Sequence, residues 1–428
     1  MNIFLKCLLM GAIVIFLNCM AGNCRAEPVL KKGGRLAITG DSITEQKLYS
    51  KYLETYFLVC VPELDIKIIQ LGWGGERAPG FAARMEYDLI SWKPTVVTTC
   101  YGMNDGSYTK YNENIGRNYE NGMRMIITNV LNAGATIIVG SPGVVDSQTW
   151  QQNQPDYDIV YNDNLNQLRE IDRRLAEEYK CPFADVYGAM MSAMTNAKAV
   201  LGLEYPVAGS DGVHAGPNGQ LVMAYAFLRA LGMDGNIGTI TVDFPAKASS
   251  TEGHSIVNCT TGIVEVISSR YPFCFSGGSN DPNGTISILP FVPLQQDLNR
   301  FMLVVRKLPA AQAEIQWGKS AKKFSRAQLE QGINLAAEFL DNPFSKSFSE
   351  VLTAVGQKQN YETIMIKGMF AGFRYLDSTF KDDSVYAQAR DTLRQRLIAK
   401  QEENMASLKN MVKPVRHRIE IRPCQDQP

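Results

Sequence analysis

The sequence predicts an α/β fold followed by a β-rich module and a helical region. Three observations predict it. From Gly34 to Gly232, short apolar runs alternate with amphipathic stretches of helical spacing. The apolar runs are nearly continuous, as are strands buried on both faces of a mostly parallel sheet. After Gly232 the pattern changes to Thr, Val and Ile between Gly-Gly or Asn-Gly turns. A chain of 428 residues is long enough for two or three domains.

The elements follow in order. Arg35 to Thr39 is a short strand, and Leu48 to Val61 spaces Leu, Tyr and Phe as a helix does. Ile66 to Leu71 is a strand and Ala78 to Ile90 a helix. Pro94 announces a β-branched strand from Thr95 to Tyr101. Ile115 to Leu131 is a helix stopped near Gly134. Ala135 to Gly140 is a strand ended by Ser141-Pro142-Gly143. Tyr157 to Tyr179 is a long charged helix, and Phe183 to Val186 a short strand. Pro217 to Leu231 is a helix opened by proline in a favourable first-turn position and closed by Gly232. Ile237 to Trp317 reads as antiparallel strands. Helices are predicted over Ala327 to Phe339, Phe348 to Asn360 and Val385 to Met411, the first two separated by Asn342-Pro343. The implied division is 27–235 for the α/β domain, 236–320 for the β-rich module and 321–428 for the helical region.

The first 26 residues read as an export signal. Lys6 precedes an apolar run, Cys7 to Leu17, too short to span a bilayer comfortably, and Cys24-Arg25-Ala26 is a plausible cleavage site. A secreted or periplasmic protein is expected. A lipid on Cys19 or Cys24 is the weaker alternative, because the residues before each fit a lipoprotein signal poorly. No later stretch is apolar enough for a membrane span. Lysine plus arginine equal aspartate plus glutamate at 43 each, with no basic cluster, which argues against a nucleic-acid partner. Six cysteines follow the signal, and no Cys/His spacing resembles a zinc site. Cys259 and Cys274 pair across a hairpin or stay as free thiols; the sequence leaves both open.

Ligands of parallel α/β sheets bind beyond the carboxyl ends of the strands. Four groups fall there. Ser42 follows the first strand, Gly72-Trp73-Gly74-Gly75 the second and Gly102-Met103-Asn104-Asp105 the third, while Asp211-Gly212-Val213-His214 precedes the last helix. Of three histidines, only His214 has a carboxylate three residues before it. A hydroxyl, an imidazole and a carboxylate in series supply a nucleophile, a base and a group that fixes the base's tautomer. Each residue also has a plainer use. Ser42 suits a helix N-cap, with Asp41 and Thr44 as competitors. Asp211 suits a turn before Gly212, and Asn104-Asp105-Gly106 is a good turn whatever the function. Their joint occurrence opposes these plainer uses.

Gly40-Asp41-Ser42-Ile43-Thr44, the glycine of Gly74-Gly75, Gly102-x-Asn104-Asp105 and Asp211-x-x-His214 occur in this order, and the chain from Gly33 to Gly232 resembles the SGNH (GDSL-like) hydrolase family. The short Gly-x-Ser-x-Gly elbow of α/β-hydrolases is absent. The resemblance implies a flavodoxin-like three-layer α/β/α domain. It implies Ser42 as nucleophile, His214 as base and then acid, and Asp211 as the residue orienting His214. The oxyanion hole would be the backbone N–H of Ser42, that of Gly75 (Gly74 as second choice) and the Asn104 side-chain amide. Trp73, Tyr101, Met103 and Tyr108 border the site in sequence and are candidates for an acyl or sugar pocket. No metal or organic cofactor is implied. The expected activity is hydrolysis of small-molecule or polysaccharide esters, with O-deacetylation of carbohydrate favoured by export and the β-rich module. The alternatives are a lipid esterase, lysophospholipase or thioesterase, and a non-catalytic glycan-binding protein with a vestigial site. The helical region is a candidate lid, touching the cleft through Gly332-Ile333-Asn334-Leu335 or Asn342-Pro343-Phe344.

Overall fold

The chain is seen in a computed structural model that describes residues 29–146, 148–150 and 157–424. The export reading of residues 1–26 lies outside the described residues. Five short strands form a wholly parallel sheet: β1 (Arg35–Ile38), β2 (Lys67–Gln70), β3 (Val96–Cys100), β4 (Thr136–Gly140) and β5 (Phe183–Ala184). Their order is β2-β1-β3-β4-β5, with Leu36 opposite both Ile68 and Val96.

Alternating side chains sort these strands between two cores. Leu36, Ile38, Ile68 and Ile138 join a cluster with Tyr49 and Leu53, Met190 and Ala193, and Leu221 and Phe227. Those residues belong to the helices Tyr49–Val59, Val186–Leu201 and Pro217–Ala230. Ala37, Ile69, Val97, Ile137 and Val139 join a second cluster with Phe81, Met123, Ile126 and Leu168 from the helices Ala78–Asp88, Glu113–Asn132 and Tyr157–Glu178. The result is the expected three-layer α/β/α domain. The helix Val186–Leu201 has no counterpart in the sequence reading. Its Ala and Met run lacks a polar stripe that a 3.6-residue period would reveal.

Nine further strands follow among the described residues: β6 (Asn236–Asp243), β7 (Lys247–Ser250), β8 (His254–Thr260), β9 (Ile263–Ser268), β10 (Arg300–Arg306), β11 (Gln312–Trp317), β12 (Ser320–Ser325), β13 (Ile333–Asn334) and β14 (Val415–Pro423). They make two sheets, ordered β13-β10-β6-β7 and β12-β11-β14-β9-β8. The expectation of antiparallel strands holds except between β6 and β10, which run parallel. The region 321–428 is not wholly helical, because β14 sits inside the second sheet between β11 and β9. Both sheets bury their inner faces, with Val264, Phe301 and Trp317, in the same cluster as the first domain core.

The helix Ser345–Thr363 continues through a π-helical turn, Ile364–Phe370, into Ala371–Thr379. It runs past β2, an edge strand of the parallel sheet. Phe348 and Val355 reach the first core, and Ile366 and Phe370 reach the second. Side chains take the outward backbone groups of β2. Gln70 N–H donates to Glu362 Oε2 at 3.0 Å, Lys358 Nζ donates to the Ile68 carbonyl at 2.5 Å, and Gln401 Nε2 to the same carbonyl at 3.3 Å. An open edge is thereby covered. All six cysteines among the described residues are free thiols.

Candidate active site

Three residues beyond β1, Thr39, Gly40 and Asp41, lead into the short helix Ser42–Glu45. Glycine is required at position 40, where a Cβ would lie 2.1 Å from Thr44 Oγ1 and 2.8 Å from the Cys100 carbonyl. Asp41 caps the helix, accepting the Ile43 N–H at 2.9 Å. The capping task thus falls to Asp41 and leaves the Ser42 hydroxyl free of it.

That hydroxyl lies 2.9 Å from His214 Nε2, and His214 Nδ1 lies 2.7 Å from Asp211 Oδ2. The other Asp211 oxygen accepts the N–H groups of Val213 at 2.9 Å and His214 at 2.8 Å. Asp211 therefore serves both as a turn residue and as the partner of the imidazole. Partial burial pushes its carboxyl upward, but the hydrogen bonds from His214 and Val213 outweigh this and hold it below the usual carboxylate range. An ionised carboxylate at Nδ1 favours the tautomer whose free lone pair, on Nε2, faces Ser42. His214 is 37% exposed, so the site is open to solvent.

The loop after β2 comes alongside. A Cβ on Gly74 would meet Ser42 Cβ at 3.9 Å and Glu45 Oε2 at 2.9 Å. Gly74 N–H is committed to Glu45 Oε2 at 2.5 Å. Gly75 has φ +75° and open space where a Cβ would stand. Glu76 anchors the loop, accepting Arg84 Nε and Nη2 at 2.6 Å each and the Tyr101 hydroxyl at 3.1 Å.

Asn104 comes from the third loop. Its Nδ2 donates one hydrogen to the Glu76 carbonyl at 3.1 Å and keeps a second, while its Oδ1 accepts the Tyr108 hydroxyl at 3.4 Å. Asp105 ties two loops by accepting Ala78 N–H at 2.9 Å and Gly102 N–H at 3.0 Å.

The four pocket candidates separate. Trp73 borders a cleft of about 730 Å³ together with Gly75, Arg77, Asn118, Asn121 and Met125. Tyr101 and Met103 are buried in the cores and line no surface. Tyr108 is half-buried, stacks on Tyr161 and steadies Asn104. A second cavity of about 530 Å³, beside Phe57, Arg270 and Lys409, contains none of these residues.

The nominated lid contacts lie elsewhere. Gly332 sits against Val304 and Met302, and Asn342 bonds the Phe339 carbonyl. A different stretch of the helical region reaches the site, one that sequence reasoning missed. Lys367 Nζ lies 5.1 Å from the Trp73 ring centroid and bonds Glu45 Oε1 at 2.8 Å and Oε2 at 3.0 Å. Arg84 and Arg374 also approach that ring, at 5.0 and 5.7 Å. Glu45 carries one sequence signal, its place three residues after Ser42; Lys367 carries none.

A parallel α/β sheet with a hydroxyl, an imidazole and a carboxylate in series beyond its strand ends is the arrangement of an ester hydrolase. Residues 38–221 match the GDSL-like Lipase/Acylhydrolase family, and this stretch is a GDSL-type domain with carboxylic ester hydrolase chemistry. It is similar to an acetylxylan esterase of Geobacillus stearothermophilus, 25% identical over 224 residues that cover 47% of this chain and 95% of the relative. The fold of almost the whole chain is similar to that of a gut microbial diltiazem-metabolizing enzyme. There the TM-score is 0.71 at 19% identity, covering 94% of this chain and 99% of the other.

Proposed function

We propose that Ser42, His214 and Asp211 are the catalytic triad of an exported esterase that removes acyl groups, acetyl foremost, from carbohydrate. Ser42 Oγ attacks the ester carbonyl carbon as His214 Nε2 takes its proton. The developing oxyanion is held by the N–H groups of Ser42 and Gly75 and the second Asn104 amide hydrogen. Ser42 opens a helix, so its N–H has no partner within that helix, and no hydrogen bond among the described residues commits the N–H of Gly75, unlike that of Gly74. Each such donor contributes on the order of 3 kcal/mol to the transition state. His214 then protonates the departing alcohol. A water activated by the same imidazole releases the acid from the acyl-serine.

The observation that carries this reading is the unbroken relay, with hydrogen bonds of 2.9 Å and 2.7 Å. An open imidazole and an intact donor set oppose a vestigial site. The carbohydrate preference is supported by the acetylxylan esterase relative and by Arg77, Asn118 and Asn121, polar side chains in the mixed lining of the cleft that Trp73 and Gly75 border. Export rests on the apolar run and small residues before residue 27.

The test compares the purified protein with Ser42→Ala on p-nitrophenyl acetate and on acetylated xylan. Release of acetate from both is expected, and its loss in the variant. Equal activity of the two proteins refutes the role of Ser42. Cleavage of long-chain esters alone refutes the carbohydrate preference.

A further inference from the structure

We infer that Lys367 is a positioning residue for the proposed oxyanion hole, supplied by the C-terminal helix that lies outside the matched domain. The inference rests on the triad reading above. Glu45 is the link. It ends the helix that Ser42 begins, and its Oε2 holds the N–H of Gly74. Gly74 stands between that carboxylate and Ser42 Cβ, and a side chain there would push the Glu45 carboxylate aside.

A carboxylate there does two opposed things. It fixes the Gly74 peptide, so that the next N–H, of Gly75, is left to face the substrate. It also sets a negative charge beside the place where the oxyanion gathers its own, which disfavours the transition state. Lys367 removes the second effect and keeps the first. Its ammonium bonds both Glu45 oxygens, at 2.8 and 3.0 Å, while it also lies over the Trp73 ring of the same loop. The lysine issues from the π-helical turn Ile364–Phe370, a widened turn of a kind found frequently at functional positions. Ile366 and Phe370 on that turn are buried in the domain core, so the turn is firmly seated.

The experiment measures kcat and KM for p-nitrophenyl acetate in the full chain and in Lys367→Met, Lys367→Arg, the double variant Glu45→Gln/Lys367→Met, and Ser42→Ala. Lys367→Met is expected to lower kcat about 10-fold or more with KM within about twofold, since the charge acts on the transition state alone. Lys367→Arg is expected to keep most of kcat. The double variant is expected to regain most of what Lys367→Met loses, because the glutamine still accepts the Gly74 N–H without a charge. A docking role for Lys367 gives a different result: the double variant stays as poor as Lys367→Met, and that overturns the inference. Unchanged kcat in Lys367→Met overturns it as well. Either failure with Ser42→Ala inactive leaves the triad standing, whereas an active Ser42→Ala removes the triad itself.

Discussion

Asp41 is buried beside the proposed nucleophile, and its work is to cap one turn. Burial pushes its carboxyl up to about 7, and nearby Asp105 and Glu76 add to the rise. Burial also carries Asp105 up to about 6, against the two N–H groups it accepts. The folded state binds these protons more tightly than the unfolded chain, so stability falls as pH rises from near the ordinary carboxylate value through about 7. Asp41→Asn keeps a good cap and has no charge to bury. Urea unfolding at acidic and neutral pH is therefore expected to show a smaller loss of stability with rising pH in Asp41→Asn than in the unaltered protein. An identical slope in both would contradict the buried-proton account. The meeting of Ser42, Asp211 and His214 was legible in the sequence, because each stands in a motif of fixed spacing. The choice between Gly74 and Gly75 was less so. The proposed choice of Gly75 rests on Glu45, whose carboxylate takes the N–H of Gly74, a contact no spacing rule contains.

Among the elements, the turn from β1 into Ser42–Glu45 is the most tightly specified. Gly40→Ala would force a methyl into Thr44 Oγ1 and the Cys100 carbonyl, and Thr44 is itself held by the Tyr49 hydroxyl at 2.8 Å. Overpacking of this kind costs about 1–3 kcal/mol. We expect Gly40→Ala to lower the unfolding free energy by that amount in urea titration and to lower kcat with it, through displacement of Ser42; a fully stable and active variant would show the turn to be pliant. The strands of the parallel sheet were legible because both faces are buried, which makes them continuously apolar. Val186–Leu201 was not, for a related reason: small and apolar residues surround it, so no face stands out. The strand β14 did carry its signal. Exposed Arg416, Arg418 and Arg422 alternate with buried His417, Ile419 and Ile421. Its partners are far away in sequence, and pairing at such distance leaves no local mark.

In the whole molecule, the C-terminal helices complete the hydrolase domain and do not hang beside it. Lys358 is buried between Glu54 and Glu362, 2.7 Å from each. Both carboxylates come with it against β2, one from the domain and one from the helix. Lys358→Met would leave two buried carboxylates with no cation between them, and breaking a buried pair costs about 3–5 kcal/mol. We expect a loss of that size in urea unfolding; a loss below about 1 kcal/mol would place the pair among weak surface contacts. This dependence was hidden from the sequence, since residues three hundred positions apart meet only through the fold. The inserted strand β14 has a consequence of another kind. Val415 pairs with Ser268, and Ala313 with Pro423. During synthesis the hairpins β8–β9 and β11–β12 emerge first and must wait, on the order of ten seconds, for the ribosome to deliver the single segment that joins them. Through that interval each hairpin presents a bare row of amide and carbonyl groups to any passing chain, so the nascent protein is most in need of a chaperone after its catalytic half has been made.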